Sequence, residues 1–192
     1  KIPINIHPLL MDLLKRSFIL LIPALLLTGS VYAQKAVERD TSFAVYSTCI
    51  KTKRQYPYIA IANPSVPGNI KSQTDITYCT FGDRNLKLDI FYPKKKSRKG
   101  YPAVLFVHGG GWRSGERSQH IPMAQQLAAR GYVTVTAEYR LSAEALYPAA
   151  VYDLKAAVRW IRANAKQYGV DTSKLAVWGF SAGGQLAALI GT

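Results

Sequence analysis

The stretch Leu175-Ala176-Val177-Trp178-Gly179-Phe180-Ser181-Ala182-Gly183-Gly184 says more about the fold than any other part of these 192 residues. Its first four residues make a continuous apolar run of the kind that fills a strand buried on both faces. G-x-S-x-G follows, and then an apolar segment of helical length from Gly184 to Ile190. A tight strand-to-helix turn forces its central residue into an unfavourable backbone conformation and leaves no room for side chains beside it. Gly179 and Gly183 supply the missing side chains. The strain lifts the Ser181 hydroxyl above the sheet edge, and the Ala182 N–H at the helix start has no intrahelical partner. Ser181 therefore reads as a nucleophile and Ala182 as a donor to a developing oxyanion. A glycine turn used only for tight packing is the competing reading.

Toward the amino terminus, a second buried-type strand, Ala103 to Val107, runs into His108-Gly109-Gly110-Gly111-Trp112. Three consecutive glycines let the backbone approach a substrate closely and point N–H groups into a site, which suits the other half of an oxyanion hole. A phosphate loop does not fit, because Glu116-Arg117 stands where Lys and Ser/Thr are required after Gly115. A dinucleotide fingerprint fails as well, with Ser114 in the third glycine position. His108 reads as a structural histidine bracing its own loop. Trp112 is either a wall of the acyl pocket or a cover over the core.

Between the two bends the rhythm is regular. A helix with Ile121, Ala124 and Leu127 on one face stops at Gly131, and Tyr132 to Ala137 forms another buried-type strand. The next helix starts near Pro148 and carries the stripe Val151, Leu154, Val158, Ile161 and Ala165, closed by Gly169. Alternating segments Ile76–Thr80 and Leu86–Phe91, with a turn at Gly82-Asp83-Arg84-Asn85, make a hairpin ahead of them. The fold class is α/β: a mostly parallel sheet with helices on both faces, preceded by an antiparallel hairpin. The chain stops soon after the serine turn and its helix.

The remaining organisation is coarser. Residues 73–192 form the partial α/β domain, and residues 34–72, with Pro57, Pro64, Pro67 and Gly68, read as an irregular lead-in. Residues 1–33 read as upstream sequence plus a secretory signal peptide, with an uncleaved membrane anchor as the competing reading. The start of the signal peptide is Met11, followed by basic Lys15-Arg16, an apolar run from Phe18 to Leu27, and cleavage after Ala33. That run is about half the ~20 residues a membrane-crossing helix needs, so no stable span is expected after cleavage. Export to the periplasm or medium follows. There a bond between Cys49 and Cys79 and two free thiols are both open.

Composition narrows the function classes. Hydrophobic residues are 48% and charged residues 19%, enough for a packed core. The 25 Lys+Arg against 11 Asp+Glu give a net charge of +14, which raises a nucleic-acid reading. The densest run, Lys94-Lys95-Lys96-Ser97-Arg98-Lys99, falls between two strands and lacks interleaved aromatics, so it reads as a solvated loop. Two cysteines and three histidines leave little for a metal centre. No metal or organic cofactor is called for.

The segments His108–Trp112, Glu138-Tyr139-Arg140-Leu141, Tyr147-Pro148-Ala149-Ala150, Asp153–Trp160 and Gly179–Gly184 together resemble one family. It is the α/β-hydrolase fold of the hormone-sensitive-lipase-like and bacterial feruloyl or acetyl-xylan esterase groups, matched from about residue 74 to the end. The resemblance implies Ser181 as nucleophile, Gly110, Gly111 and Ala182 as N–H donors, and structural roles for Asp153 and Arg140. The substrate it implies is a carboxylic ester, small or carried as an acyl group on polysaccharide. Phe180 replaces the acidic residue often found beside the serine, which leans toward the carbohydrate-esterase side. Related alternatives are a prolyl-oligopeptidase-like or arylformamidase-like amidase, and a degenerate non-catalytic hydrolase. The fold orders its triad as nucleophile, acid, histidine, yet Ala182–Thr192 contain no Asp, Glu or His. The later strands of that fold are absent as well, which is expected to leave Leu175–Trp178 at an open, apolar edge, and this polypeptide alone is expected to be inactive and poorly soluble.

Overall fold

The computed structural model describes Asp40, residues 42–63 and residues 66–191. The signal-peptide reading and the first residues of the lead-in lie outside these. The hairpin is β1 (Ile70–Phe81) and β2 (Arg84–Pro93). Phe81 pairs with Arg84 and Thr80 with Asn85, so the turn is Gly82-Asp83 alone, tighter than expected. β1 also begins earlier than about Thr74, because Ile70 is buried and anchors the strand start.

Strands β3 (Tyr101–Val107), β4 (Val133–Ala137) and β5 (Val170–Gly179) complete a five-stranded sheet in the order β1-β2-β4-β3-β5. β3 pairs in parallel with both β4 and β5, while β2 joins β4 antiparallel. The chain steps from β3 to β4 in one direction, then returns across β3 to reach β5. Right-handed crossovers place the helices of two opposite steps on opposite faces. α2 (Ile121–Ala129) accordingly covers one face, and α3 (Ala149–Ala163) with α5 (Ala182–Gly191) covers the other. The short α4 (Ala165–Tyr168) leads into β5.

Two cores result. Leu105 and Val107 of β3 join Leu88, Val135, Leu154 and Leu186 on one side. Val104 and Phe106, pointing the other way along the same strand, meet Phe91, Ala124 and Ala128. This alternation is the period-2 geometry of a strand covered on both faces. The small Ala124 and Ala128 form the deepest part of α2, with Ile121 and Leu127 only half-buried at the edges of the expected face. On α3, Val151, Leu154 and Ile161 are buried as the stripe requires, with Val158 half-buried.

Two expectations need correction. Leu175–Trp178 is not the fully buried strand its apolar run suggests, and stands instead at the open edge also expected of it. Among the described residues β5 pairs only with β3, and Trp178 is 46% exposed. The lead-in is not wholly irregular either, since Val45–Lys53 form helix α1. None of its residues is buried, so no apolar stripe marks it in the sequence. Cys49 and Cys79 are both free thiols. Lys94–Lys99 form an exposed loop at the amino-terminal end of β3. Among the described residues, no helix is long and apolar enough to cross a membrane.

Candidate active site

The two glycine bends leave the sheet side by side. Val107 and Gly179, the last residues of β3 and β5, are paired across the ladder, and Phe180 N–H donates to Val107 O at 3.3 Å. This is also where the connections from neighbouring parallel strands run to opposite faces. Crevices for ligands open at such switch points, outside the carboxyl ends of the strands.

Ser181 sits at the tip of the β5–α5 turn with φ +52° and an exposed side chain. That left-handed backbone is costly for a residue with a Cβ, and tight closure of the turn enforces it. The N–H groups of Gly184 and Gln185 donate to Ser181 O at 2.8 and 3.2 Å, and that of Gly183 donates to Phe180 O at 2.8 Å. A Cβ on Gly179 would overlap Gly183 O, and one on Gly183 would overlap Val107 O and His108 O. Ala182 N–H has no acceptor among the described residues.

The second bend lies directly against the first, since a Cβ on Gly109 would stand 3.3 Å from Ser181 Cβ. Gly110, Gly111 and Trp112 take successive positive φ values of 123°, 60° and 59°. Gly110 O accepts from the N–H groups of Arg113 and Ser114 and from Ser114 Oγ, at 3.0 to 3.2 Å. A side chain on Gly110 would collide with Ser114 O. The Gly110 and Gly111 N–H groups, like that of Ala182, have no acceptor among the described residues. A serine oxygen at the tip of one bend and free amide hydrogens on both form a constellation suited to attack on a carbonyl.

A cavity of about 650 Å³ opens over Ser181 and Gly109. Val45, Thr48, Cys49 and Thr52 of α1 line one side of it, and His120 and Phe180 another. Sequence reasoning missed this wall because α1 lines a cavity instead of packing a core. On the other flank, Trp112 Nε1 donates to Gln185 Oε1 at 3.2 Å, and the ring lines a second cavity of about 420 Å³. At 44% exposure Trp112 does not cover the core, and it lines this second cavity, not the one over Ser181.

The histidines divide clearly. His108 is 2% exposed, pairs through Nδ1 with Gly109 O at 2.8 Å and stacks on Tyr139 at 4.4 Å. The Tyr139 hydroxyl donates to His108 O, and burial raises the pKa of that hydroxyl. His108 thus braces its own loop, as expected. His120 stacks on Phe180 at 4.6 Å. Its Nε2 is buried without a partner, and desolvation pushes its pKa down. No hydrogen bond joins Ser181 to either ring among the described residues. Asp153, fully buried, accepts from the Arg140 guanidinium and the Arg140 N–H, tying α3 to the end of β4. Arg140 also lines the second cavity, beside Trp112.

Beyond the bends lies an ionic cluster that sequence reasoning passed over. Arg117, in the 3-10 turn Arg117–His120, bonds to Asp75, Asp89 and Glu138. Its signal was a charged Asp89 between the inward-facing Leu88 and Ile90 of β2.

Known proteins bear on this geometry. Esterase LipC of Mycobacterium tuberculosis (strain ATCC 25618 / H37Rv) is 39% identical over 105 residues, which are 54% of this chain and 26% of LipC. Esterase B from Lactobacillus Rhamnosis (HN001) matches with a TM-score of 0.61 at 29% identity, over 76% of this chain and 44% of that one. Thermogutta terrifontis esterase 2 phosphorylated by paraoxon matches with a TM-score of 0.57 at 35% identity, over 65% of this chain and 48% of that one. The chain thus spans less than half the length of each. The BD-FAE family model matches residues 88–192, from inside β2 through both bends to the end. Over more than half of its length, therefore, the chain belongs to the BD-FAE family of α/β-hydrolases.

Proposed function

We propose that this chain supplies the nucleophile and the oxyanion hole of an exported serine esterase. Ser181 Oγ attacks the ester carbonyl. The N–H groups of Gly110, Gly111 and Ala182 hold the charge that develops on the carbonyl oxygen; the alcohol leaves with the proton taken from Ser181, and water then cleaves the acyl-serine, freeing the carboxylic acid and restoring the hydroxyl. The observation that carries this reading is the exposed Ser181 at φ +52°, flanked by amide hydrogens with no other acceptor among the described residues. Serine is a weak nucleophile near neutral pH without a base. His108 is committed to Gly109 and Tyr139, and His120 is stacked on Phe180. Among the described residues, then, neither histidine is placed to take the Ser181 proton, and the reading requires a histidine, oriented by a carboxylate, that these residues do not supply.

Acyl groups on polysaccharide are the favoured substrates. Phe180 in place of an acidic neighbour supports that choice, and the secretory pattern of residues 11–33 suits a polymer outside the cell.

Paraoxon provides the test, since a solved relative carries its phosphoryl group. Treatment of the full-length protein is expected to add one diethylphosphoryl group on Ser181, found by peptide mass spectrometry and absent from Ser181→Ala. Labelling elsewhere, or ester turnover that survives Ser181→Ala, rejects the assignment. The 192-residue polypeptide by itself is expected to hydrolyse p-nitrophenyl acetate at background rate. Turnover abolished by Ser181→Ala would instead place the proton acceptor within it. A panel of matched esters and amides separates the esterase from an amide-cleaving relative.

A further inference from the structure

The loop that carries the Gly110 and Gly111 amides is held at one end by β3. At its other end, two residues past Gly115, stands Arg117. Its Nε donates to Asp89 Oδ2 at 2.9 Å, one terminal nitrogen donates to Asp75 Oδ1 at 2.5 Å, and the other donates to Glu138 Oε1. Asp75 lies at the irregularity in β1, Asp89 in β2, and Glu138 just past β4. One guanidinium therefore binds the loop to three separate strand segments. Two of the three carboxylates are sheltered, Asp89 at 2% exposure and Glu138 at 8%, while the Asp75 side chain is 61% exposed. Asp89 is itself oriented, because its other oxygen accepts the Asp75 N–H at 2.9 Å. Glu138 is fixed by the bond from its own N–H to Lys87 O.

Neighbouring contacts extend the same hold. Tyr139, next to Glu138, secures the start of the loop through His108 O. The segment Glu138-Tyr139 thus grips both ends of the loop from the end of β4. A planar guanidinium with several fixed donors suits such a junction; a lysine ammonium is a point charge without that geometry.

We propose that Arg117 is a positioning residue for the oxyanion hole: its bonds to Asp75, Asp89 and Glu138 clamp the far end of the glycine loop and so set where the Gly110 and Gly111 N–H groups point. The inference rests on the reading of Ser181 and these amides as esterase machinery. Arg117 touches no reacting atom. Its loss acts through the amides, and a misplacement of about 1 Å at a catalytic group can cost on the order of a hundredfold in rate.

The experiment compares Arg117→Gln, Arg117→Lys and Arg84→Gln in the full-length protein. Arg84 bonds to Glu138 and Glu144 in the same cluster but sits on β2, away from the loop. Arg117→Gln is expected to lower kcat by about tenfold to a hundredfold with KM within about twofold. Affinity for a trifluoromethyl ketone, which forms a tetrahedral adduct, should fall in proportion. Arg117→Lys should recover part of the loss, and Arg84→Gln should leave kcat within about twofold. Hydrogen exchange on the same proteins should quicken across residues 109–116 in Arg117→Gln and stay unchanged there in Arg84→Gln. Unchanged kcat and unchanged loop exchange in Arg117→Gln would overturn the proposal, whatever its melting temperature. So would equal effects from both arginines. Should the unmodified protein show no Ser181-dependent turnover, the esterase reading fails, and the exchange measurement alone decides whether Arg117 holds the loop.

Discussion

Ser181 pays for its position in backbone strain. Its φ of +52° is left-handed, which costs a non-glycine residue about 1–2 kcal/mol. Glycine relieves that strain but loses about 0.5–1 kcal/mol through the extra freedom of the unfolded chain. Ser181→Gly is therefore expected to stabilise the fold by up to about 1.5 kcal/mol while removing the hydroxyl. Urea denaturation checks this, and a clear loss of stability would mean that the side chain is held by contacts and not forced by the turn. The serine was legible in the sequence because its two flanking glycines are a steric necessity: Gly183 has carbonyl oxygens where a Cβ would go. Arg117 was not legible in the same way. Its partners Asp75, Asp89 and Glu138 are spread over three strand segments, and no spacing along the chain announces them.

Among the elements, α3 shows the separation of faces most sharply. Leu154 is fully buried in the larger core, while Tyr152, two residues earlier, is 61% exposed. Leu154→Ala is expected to cost about 2–5 kcal/mol, the range for deleting a buried leucine side chain. Tyr152→Ala is expected to stay within about 0.5 kcal/mol. Equal effects in urea titrations would show that α3 is not docked through the stripe Val151, Leu154 and Ile161. That stripe was readable because its 3, 4 periodicity matches the turn of a helix. Helix α1 was not, since none of its residues is buried and its Val45, Thr48 and Cys49 face a cavity. β5 fell between the two. Its strand character was plain in Leu175–Trp178, but the burial on both faces that such an apolar run suggests is not met, because among the described residues it pairs only with β3.

At the scale of the whole molecule, the sheet separates its densest basic run from the two glycine bends. Both glycine bends stand at the carboxyl ends of β3 and β5, whereas Lys94–Lys99 precede the amino end of β3. At roughly 3.3 Å per residue, the seven residues of β3 put about 20 Å between them. Global stability carries a pH signature from His120. An unfolded imidazole takes up its proton near pH 6.5, and desolvation moves this lower in the folded chain. Between the two values the unfolded chain binds more protons, so stability rises with pH there. The contribution is complete above about pH 6.5 and is lost as pH falls through the folded value. His120→Phe, which keeps a ring against Phe180, is expected to flatten this part of the profile in thermal melts from pH 7.5 to 5. A slope identical to that of the unmodified chain would exclude His120 as its source.

What the sequence determined by itself is local: which runs are strands, where helices stop, and that a serine must stand between glycines on a strained turn. Steric exclusion and hydrophobic period act over a few residues, so they leave their mark in consecutive letters. Only the tertiary structure decided what meets across the chain. It brought Gly109 against Ser181, set α1 over the cavity, made Trp112 a wall of the second cavity, and joined Arg117 to three carboxylates. The first of these contacts follows from the crossing of β3 by the return from β4 to β5, which sets the two bends side by side. That is a choice of strand order, and no short stretch of sequence encodes it.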